Sequence, residues 1–139
     1  MPIENIDPAT LKGWLEAKCA VVVDVREPVE YEAEHIEGAA LVPLGRLSRT
    51  ALPEHSGRNL VIMCRAGGRG RAACQLLRAE MSAHETIYHL EGGLLAWKSA
   101  GLPVAHVERR EKLELPDGGA GKRRVSSGLG GFFRRLFWK

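Results

Sequence analysis

A cysteine at the head of a glycine-rich loop is the part of this sequence best suited to chemistry. Residues 60–63 form a continuous apolar run that predicts a buried strand. The loop that follows reads Cys64, Arg65, Ala66, Gly67, Gly68, Arg69 and Gly70. Apolar residues at helical spacing over 72–77 then predict a helix. In such a strand–loop–helix unit, the loop amides and the helix N-terminus form a concave site that suits an anion.

We expect Cys64 to be a nucleophile, because the same positive field would stabilise its thiolate form. Arg65 and Arg69 add two positive charges to the loop. No histidine lies close to Cys64 in the sequence, although a distant one could fold against it. The prediction requires that the sulfur be ionised at neutral pH and reachable by a solute.

A cysteine phosphatase is an alternative with a similar loop. Phosphatases of this kind place an arginine six positions after the cysteine, where it binds phosphate through two hydrogen bonds. Position 70 is glycine in this chain, and the arginines beside it are Arg69 and Arg71. A phosphatase is therefore the weaker interpretation.

The remaining cysteines give no sign of a disulfide framework or a metal site. The chain has three cysteines, and neither Cys19 nor Cys74 forms a Cys-x-x-Cys pair with Cys64. Cys74 lies among apolar residues of the predicted helix and is expected to be a core residue. We predict no metal, no cofactor and a reducing, cytoplasmic setting.

Strands and helices alternate along the rest of the chain. Apolar or β-branched runs predict strands at 20–25, 40–42, 60–63 and 87–90. Start signals and helical spacing predict helices at 8–15, 29–34, 72–77 and 94–100. The clearest strands are apolar throughout rather than alternating, as in strands that are covered on both faces. The sequence therefore predicts an α/β fold, with a mostly parallel central sheet flanked by helices on both faces.

Charge divides the chain into a domain and a tail. The 139 residues suit one domain with a short extension. Residues 1–107 carry 11 Lys or Arg and 13 Asp or Glu, whereas residues 108–139 carry 9 and 4. We predict a domain at 1–107 and a basic, glycine-containing tail at 108–139.

The tail allows two interpretations. One is an extension with no role of its own. The other is weak binding to an anionic membrane surface, because the tail ends at 132–139 in a run of aromatic and basic residues. The chain has no nucleic-acid motif, so no nucleic acid partner is expected. Because it also has no long apolar run and no secretory signal, we expect a cytoplasmic protein, at most peripheral to a membrane.

Three motifs, in order, make the chain resemble the rhodanese family. The first covers Val23–Pro28 and continues at His35–Ala39, with Glu34 where the family usually has glycine. The second is the active-site loop, six residues long from Cys64 to Arg69. The third comprises Leu90–Gly93, Ala96, Trp97 and Gly101–Pro103.

The resemblance implies a rhodanese-like fold and a ping-pong sulfurtransferase. Cys64 would attack the outer sulfur of thiosulfate or a related donor, and the resulting persulfide would pass its sulfur to a thiol or to cyanide. Arg65 and Arg69 would attract the donor, and the backbone N–H groups of residues 65–70 would stabilise the persulfide. Relatives that act on phosphate or arsenate tend to have a longer loop, so the loop length favours sulfur.

The resemblance also implies two supporting features and one alternative function. Asp24 and Arg26 are expected to form an ion pair that supports the loop. His35 is similar to a structural histidine of the family, whose ring hydrogen-bonds the backbone of the Gly38 turn. Because the family includes inactive and regulatory members, a non-catalytic sulfur-relay or regulatory module stays an alternative to the enzyme.

Overall fold

The computed structural model describes residues 3–81 and 84–107, and within them it contains a five-stranded sheet and four α-helices. The strands are β1 Ile3–Ile6, β2 Ala20–Asp24, β3 Ala40–Leu41, β4 Asn59–Met63 and β5 Ile87–Leu90. The helices are α1 Pro8–Glu16, α2 Pro28–Ala33, α3 Gly68–Arg78 and α4 Gly93–Ser99. The strand order is β1-β5-β4-β2-β3, and all four pairings are parallel. The predicted α/β fold with a parallel sheet is confirmed.

The sheet has one hydrophobic core on each face, because successive side chains of a strand point to opposite sides. Val23 and Ile62 pack in one core together with Leu77 of α3. Val22 and Val61 pack in the other core, which also contains buried side chains of α1 and α4. The central strands are thus covered on both faces, which explains their continuous apolar runs.

Short elements account for the differences between the predicted and observed secondary structure. β1 was not predicted, and β3 has only two residues. The segment between β3 and β4 contains two short 3₁₀ turns, at Leu44–Arg46 and Arg49–Ala51.

The carboxyl ends of three strands meet at one edge of the sheet and position the candidate site. Asp24 at the end of β2 pairs in register with Met63 at the end of β4, and Ile62 pairs with His89 of β5. The Cys64 loop therefore lies between the segments that follow β2 and β5. This is the edge at which parallel α/β sheets bind ligands.

None of the helices in the described residues has the length and apolar character needed to span a bilayer. The predicted tail at 108–139 and its contact with a membrane surface lie outside the described residues.

Candidate active site

Cys64 follows β4 directly, and its sulfur is bound by two backbone amides. The N–H groups of Gly67 and Gly70 donate hydrogen bonds to Cys64 Sγ, with N···S distances of 3.0 and 3.1 Å. Gly67 caps α3 and Gly70 lies in its first turn, so neither amide is needed for a hydrogen bond within the helix. Two donors at the positive end of a helix stabilise a negatively charged sulfur.

The sulfur borders the loop backbone on one side and buried side chains of the core on the other. Arg65, Ala66 and Gly68 of the loop are exposed, whereas Gly67 and Gly70 are buried and carry no side chain. Cys64 itself is 1% exposed. The sulfur is therefore closed off from solvent, and the access for a solute that the sequence prediction requires is not observed.

Helix α4 fixes the start of the loop. The Leu94 amide donates to the Cys64 carbonyl oxygen at 2.8 Å, and the Leu95 amide donates to the Arg65 carbonyl oxygen at 3.0 Å. Gly93 allows this close approach, because a Cβ atom there would lie 2.3 Å from the Cys64 oxygen. The absence of a side chain at position 93 therefore allows α4 to pack against the backbone of the candidate site.

The side chains of Asp24 and Arg26 form a buried ion pair beside the loop. Arg26 donates from Nη2 to Asp24 Oδ2 at 2.8 Å and from Nε to Oδ1 at 2.9 Å, and the two residues are 3% and 0% exposed. Arg26 Nη2 also donates to the Glu34 carbonyl oxygen at 2.6 Å, where α2 ends. The Val25 amide, between the two charges, donates to the Met63 carbonyl oxygen at 3.0 Å. The pair therefore links α2 to the strand that carries Cys64, while its support of the loop stays a prediction.

The two loop arginines have different surroundings. Arg69 binds Glu30 of α2 through two hydrogen bonds, Nη1 to Oε1 at 2.7 Å and Nη2 to Oε2 at 2.9 Å. This bidentate contact lowers the pKa of Glu30 to about 2 and raises the pKa of Arg69. Arg65, at the second position of the loop, is exposed. Sequence reasoning had no signal for Glu30, which lies 39 positions before Arg69.

A cavity of about 250 Å³ adjoins the loop and is lined by both signs of charge. Its cationic lining residues are Arg26, Arg65 and Lys98. Glu34, which also lines it, forms an ion pair with Lys98 at 2.5 Å. Arg65 places the cavity next to the loop, although Cys64 itself does not line it.

A larger cavity, about 700 Å³, lies away from Cys64. It is lined by Asn59, where β4 begins, and by Thr86, which precedes β5. It therefore opens at the amino ends of the strands, opposite the loop. Its size alone does not make it the reaction site, because none of the residues of the Cys64 loop lines it.

Two other residues from the sequence analysis, Cys74 and His35, make contacts that are typical of structural residues. Cys74 is fully buried in the core that contains α3, and burial, with a smaller contribution from Cys64, raises its pKa to about 12. The His35 ring stacks on Tyr31, and its Nδ1 lies 2.7 Å from the Tyr31 carbonyl oxygen. The expected contact with the Gly38 turn was wrong for this nitrogen, because the ring bonds α2 instead.

His89 is a functional candidate that sequence reasoning missed. It is 2% exposed in β5, and its Nδ1 lies 3.1 Å from Oδ1 of Asn5 in β1. Its Nε2 is buried and has no hydrogen-bond partner among the described residues. Burial, followed by the charge of Arg71, lowers the pKa of the ring. The sequence pattern that could have identified it is a polar residue within the otherwise apolar predicted strand at 87–90, near the carboxyl end of that strand.

The described residues contain no group of three or more His, Cys, Asp or Glu side chains arranged to hold a metal ion. The donors that the structure places at Cys64 Sγ are the backbone amides of Gly67 and Gly70.

Comparisons with known proteins agree with the geometry. Residues 7–100 match the model of the rhodanese-like domain. An uncharacterized protein of Synechocystis sp. is 46% identical over 100 residues, which cover 72% of this chain and 55% of that protein, so the chain spans about half the length of this relative. A sulfurtransferase of Allochromatium vinosum is 29% identical over 107 residues, covering 76% of this chain and 98% of that protein. The solution structure of a rhodanese-like domain from Anabaena sp. has a TM-score of 0.63, with 26% identity and coverage of 95% of this chain and 98% of that one.

Proposed function

Because the chain belongs to the rhodanese-like domain family, we propose that it is a sulfurtransferase that carries a sulfane sulfur as a persulfide on Cys64. The donor is thiosulfate or a related anionic sulfane compound, and the acceptor is a thiol or cyanide. The pair of amides that Gly67 and Gly70 direct at Cys64 Sγ is the observation that carries this proposal.

The reaction takes place in two displacements at sulfur. In the first, the Cys64 thiolate attacks the outer sulfur of thiosulfate, the S–S bond of the donor breaks, and sulfite leaves with the bonding electron pair. In the second, the acceptor attacks the outer sulfur of the persulfide, and the Cys64 thiolate leaves in turn. The negative charge lies on Sγ in the thiolate and on the outer sulfur in the persulfide, and fixed N–H donors around this position would stabilise both forms.

The surrounding charges have different roles in this scheme. Arg65 is the exposed loop cation and attracts the anionic donor towards the 250 Å³ cavity. Arg69 is held by Glu30, so it acts mainly by tying the loop to α2 and adds long-range attraction for the donor. The Asp24–Arg26 pair holds the neighbouring strand end in place.

Steady-state transfer from thiosulfate to cyanide tests the proposal. We expect ping-pong kinetics, with parallel lines in double-reciprocal plots, and complete loss of turnover in Cys64→Ser. Cys74→Ser is the matched control, because it makes the same atomic change ten positions away in a thiol that the scheme does not use. Turnover that survives Cys64→Ser would remove Cys64 from the mechanism.

A sulfur-relay module is the second candidate, and one observation favours it. The aligned region covers only 55% of the Synechocystis relative, so a domain of this kind occurs within a longer protein, where another domain or partner could deliver the sulfur. A relay module would accept sulfur on Cys64 but turn over thiosulfate and cyanide very slowly. The ratio of single-turnover loading to steady-state turnover therefore separates the two functions.

The phosphatase alternative has less support. Position 70 is glycine, and the Arg69 guanidinium is already bound to a carboxylate. Release of phosphate from an aryl phosphate, lost in Cys64→Ser, would restore this alternative.

A further inference from the structure

A buried histidine lies against the backbone that binds the Cys64 sulfur. A Cβ atom built on Gly70 would lie 2.7 Å from His89 Nε2 and 2.9 Å from His89 Cδ2. The edge of the ring thus fills the space that a side chain at position 70 would need. The same Cβ atom would lie 3.5 Å from Cys64 Sγ, so the ring edge and the sulfur border one small space.

The orientation of this ring is set from the edge of the sheet. The Asn5 side chain, in β1, accepts a hydrogen bond at Oδ1 from His89 Nδ1, at 3.1 Å. This assignment leaves the lone pair of the neutral ring on Nε2, the atom that faces Gly70. A contiguous chain of contacts therefore runs from Asn5 through His89 and Gly70 to the sulfur of Cys64.

The unpaired nitrogen indicates that the ring is more than core filling. Buried polar atoms are nearly always hydrogen-bonded, and an unpaired one opposes folding. An apolar side chain would fill the same volume without that penalty. A histidine whose orientation is fixed by Asn5 instead presents a thin, flat edge to the Gly70 backbone.

We propose that His89 is a positioning residue of the sulfur site, with its ring edge holding the Gly70 amide in line with Cys64 Sγ. This role rests on the proposed sulfurtransferase function, in which that amide stabilises the thiolate and the persulfide. His89 acts through Gly70, and Asn5 fixes the ring that does so. The same packing explains why position 70 is glycine.

A double-substitution cycle tests the proposal. Its readouts are the rate at which iodoacetate, a small anion, alkylates Cys64 and the rate of sulfur loading from thiosulfate. Because a misplaced donor weakens the sulfur site, His89→Ala should slow both reactions roughly tenfold. Gly70→Ala should slow both at least as much, because its methyl group meets the ring. In the double variant, the methyl group enters the space that the ring left, so the second substitution should add little.

The conservative variants separate positioning from a general loss of stability. His89→Gln places an amide nitrogen near the position of Nε2 and should recover much of the alkylation rate, whereas His89→Ala should not. Asn5→Ala removes an exposed residue at the edge of the sheet, so the protein should fold normally, yet alkylation should slow several-fold as the ring loses its anchor.

Two outcomes would overturn the positioning role. One is a wild-type alkylation rate in His89→Ala with only the melting temperature lowered. The other is strict additivity of the Gly70→Ala and His89→Ala effects, which would mean that the two residues act independently. Failure of the proposed function gives a different result. In that case the wild type gains no sulfur from thiosulfate, yet the non-additive effect of Gly70→Ala and His89→Ala on the alkylation rate can still be observed.

Discussion

Cys64 and Cys74 are two buried thiols in one hydrophobic core, with opposite prospects for chemistry. They are 1% and 0% exposed and lie ten positions apart, one before α3 and one within it. Cys64 accepts hydrogen bonds from two free amides at the start of the helix. Cys74 lies in the body of the helix, where the amides bond to carbonyl groups of the preceding turn. Burial raises its pKa to about 12.

Under the proposed function, local hydrogen-bond donors, rather than exposure, are what distinguish Cys64 from Cys74. Both cysteines are removed from water, which disfavours a thiolate. Only at the end of a helix does the backbone itself supply unused donors to offset that loss. We therefore expect the position of each cysteine relative to the helix terminus to decide its reactivity.

The largest expected effect is the loss of sulfur transfer in Cys64→Ser. Turnover should fall by roughly 10³-fold or more, because the nucleophile is removed. Cys74→Ala should keep turnover within about twofold and lower the free energy of unfolding by about 1 kcal/mol, which is typical of a small core substitution. Thiosulfate–cyanide turnover and urea unfolding measure both. Equal losses of turnover in the two variants would remove the distinction between the thiols.

Selective alkylation sharpens the same comparison in the unmodified protein. Iodoacetate at pH 7 should modify Cys64 at least tenfold faster than the partly exposed Cys19, while Cys74 stays unmodified because its pKa is about 12. Peptide mass mapping over a time course gives the three rates. A Cys64 rate no greater than that of Cys19 would show that the amides confer no reactivity.

Breaking the buried Asp24–Arg26 ion pair should affect the surroundings of Cys64 more than those of Cys74. Asp24→Asn leaves the Arg26 charge buried without its partner, which should lower the free energy of unfolding by about 3–5 kcal/mol. Alkylation of Cys64 should slow as well. Glu16→Gln is the control, because it breaks an exposed pair with Lys12 and should change stability by no more than about 0.5 kcal/mol. Similar destabilisation in both variants would contradict the supporting role of Asp24.

The smallest effect concerns the Glu30–Arg69 contact and its pH dependence. The pKa of Glu30 is lowered from 4.5 to about 2 in the folded protein. The stability that this carboxylate contributes is therefore present above pH 4.5 and is lost as the pH falls towards 2. Glu30→Gln should lower the free energy of unfolding by about 0.5–1 kcal/mol at pH 7.

Denaturant titrations at several pH values check this prediction. The difference between the wild type and Glu30→Gln should shrink below pH 4.5 and vanish near pH 2 if the protein is still folded there. A difference that is constant over this range would mean that the ion pair is not its source.

The elements around Cys64 were predictable because they are locally encoded. The apolar run at 60–63 and the mostly apolar run at 87–90 correspond to β4 and β5, and the glycines after Cys64 predicted the loop. The ion pair of Asp24 with Arg26 was also predictable, since the two residues are two positions apart.

Contacts between distant segments were not predictable. Strand β1, Ile3–Ile6, has two exposed central residues and no alternation, so nothing in the sequence marks it as the edge of the sheet. Because β1 was not predicted, the contact of Asn5 with His89 was not predicted either, nor was the orientation of the His89 ring. The binding of Arg69 to Glu30 arises because the sheet brings α2 beside the loop, which local patterns do not encode.

The intact mass of the protein after treatment with thiosulfate tests the central claim most directly. The wild type and Cys74→Ser should each gain the mass of one sulfur atom, cyanide should remove it, and Cys64→Ser should gain nothing. A wild-type mass that does not change, or a sulfur atom that is still gained by Cys64→Ser, would contradict that claim.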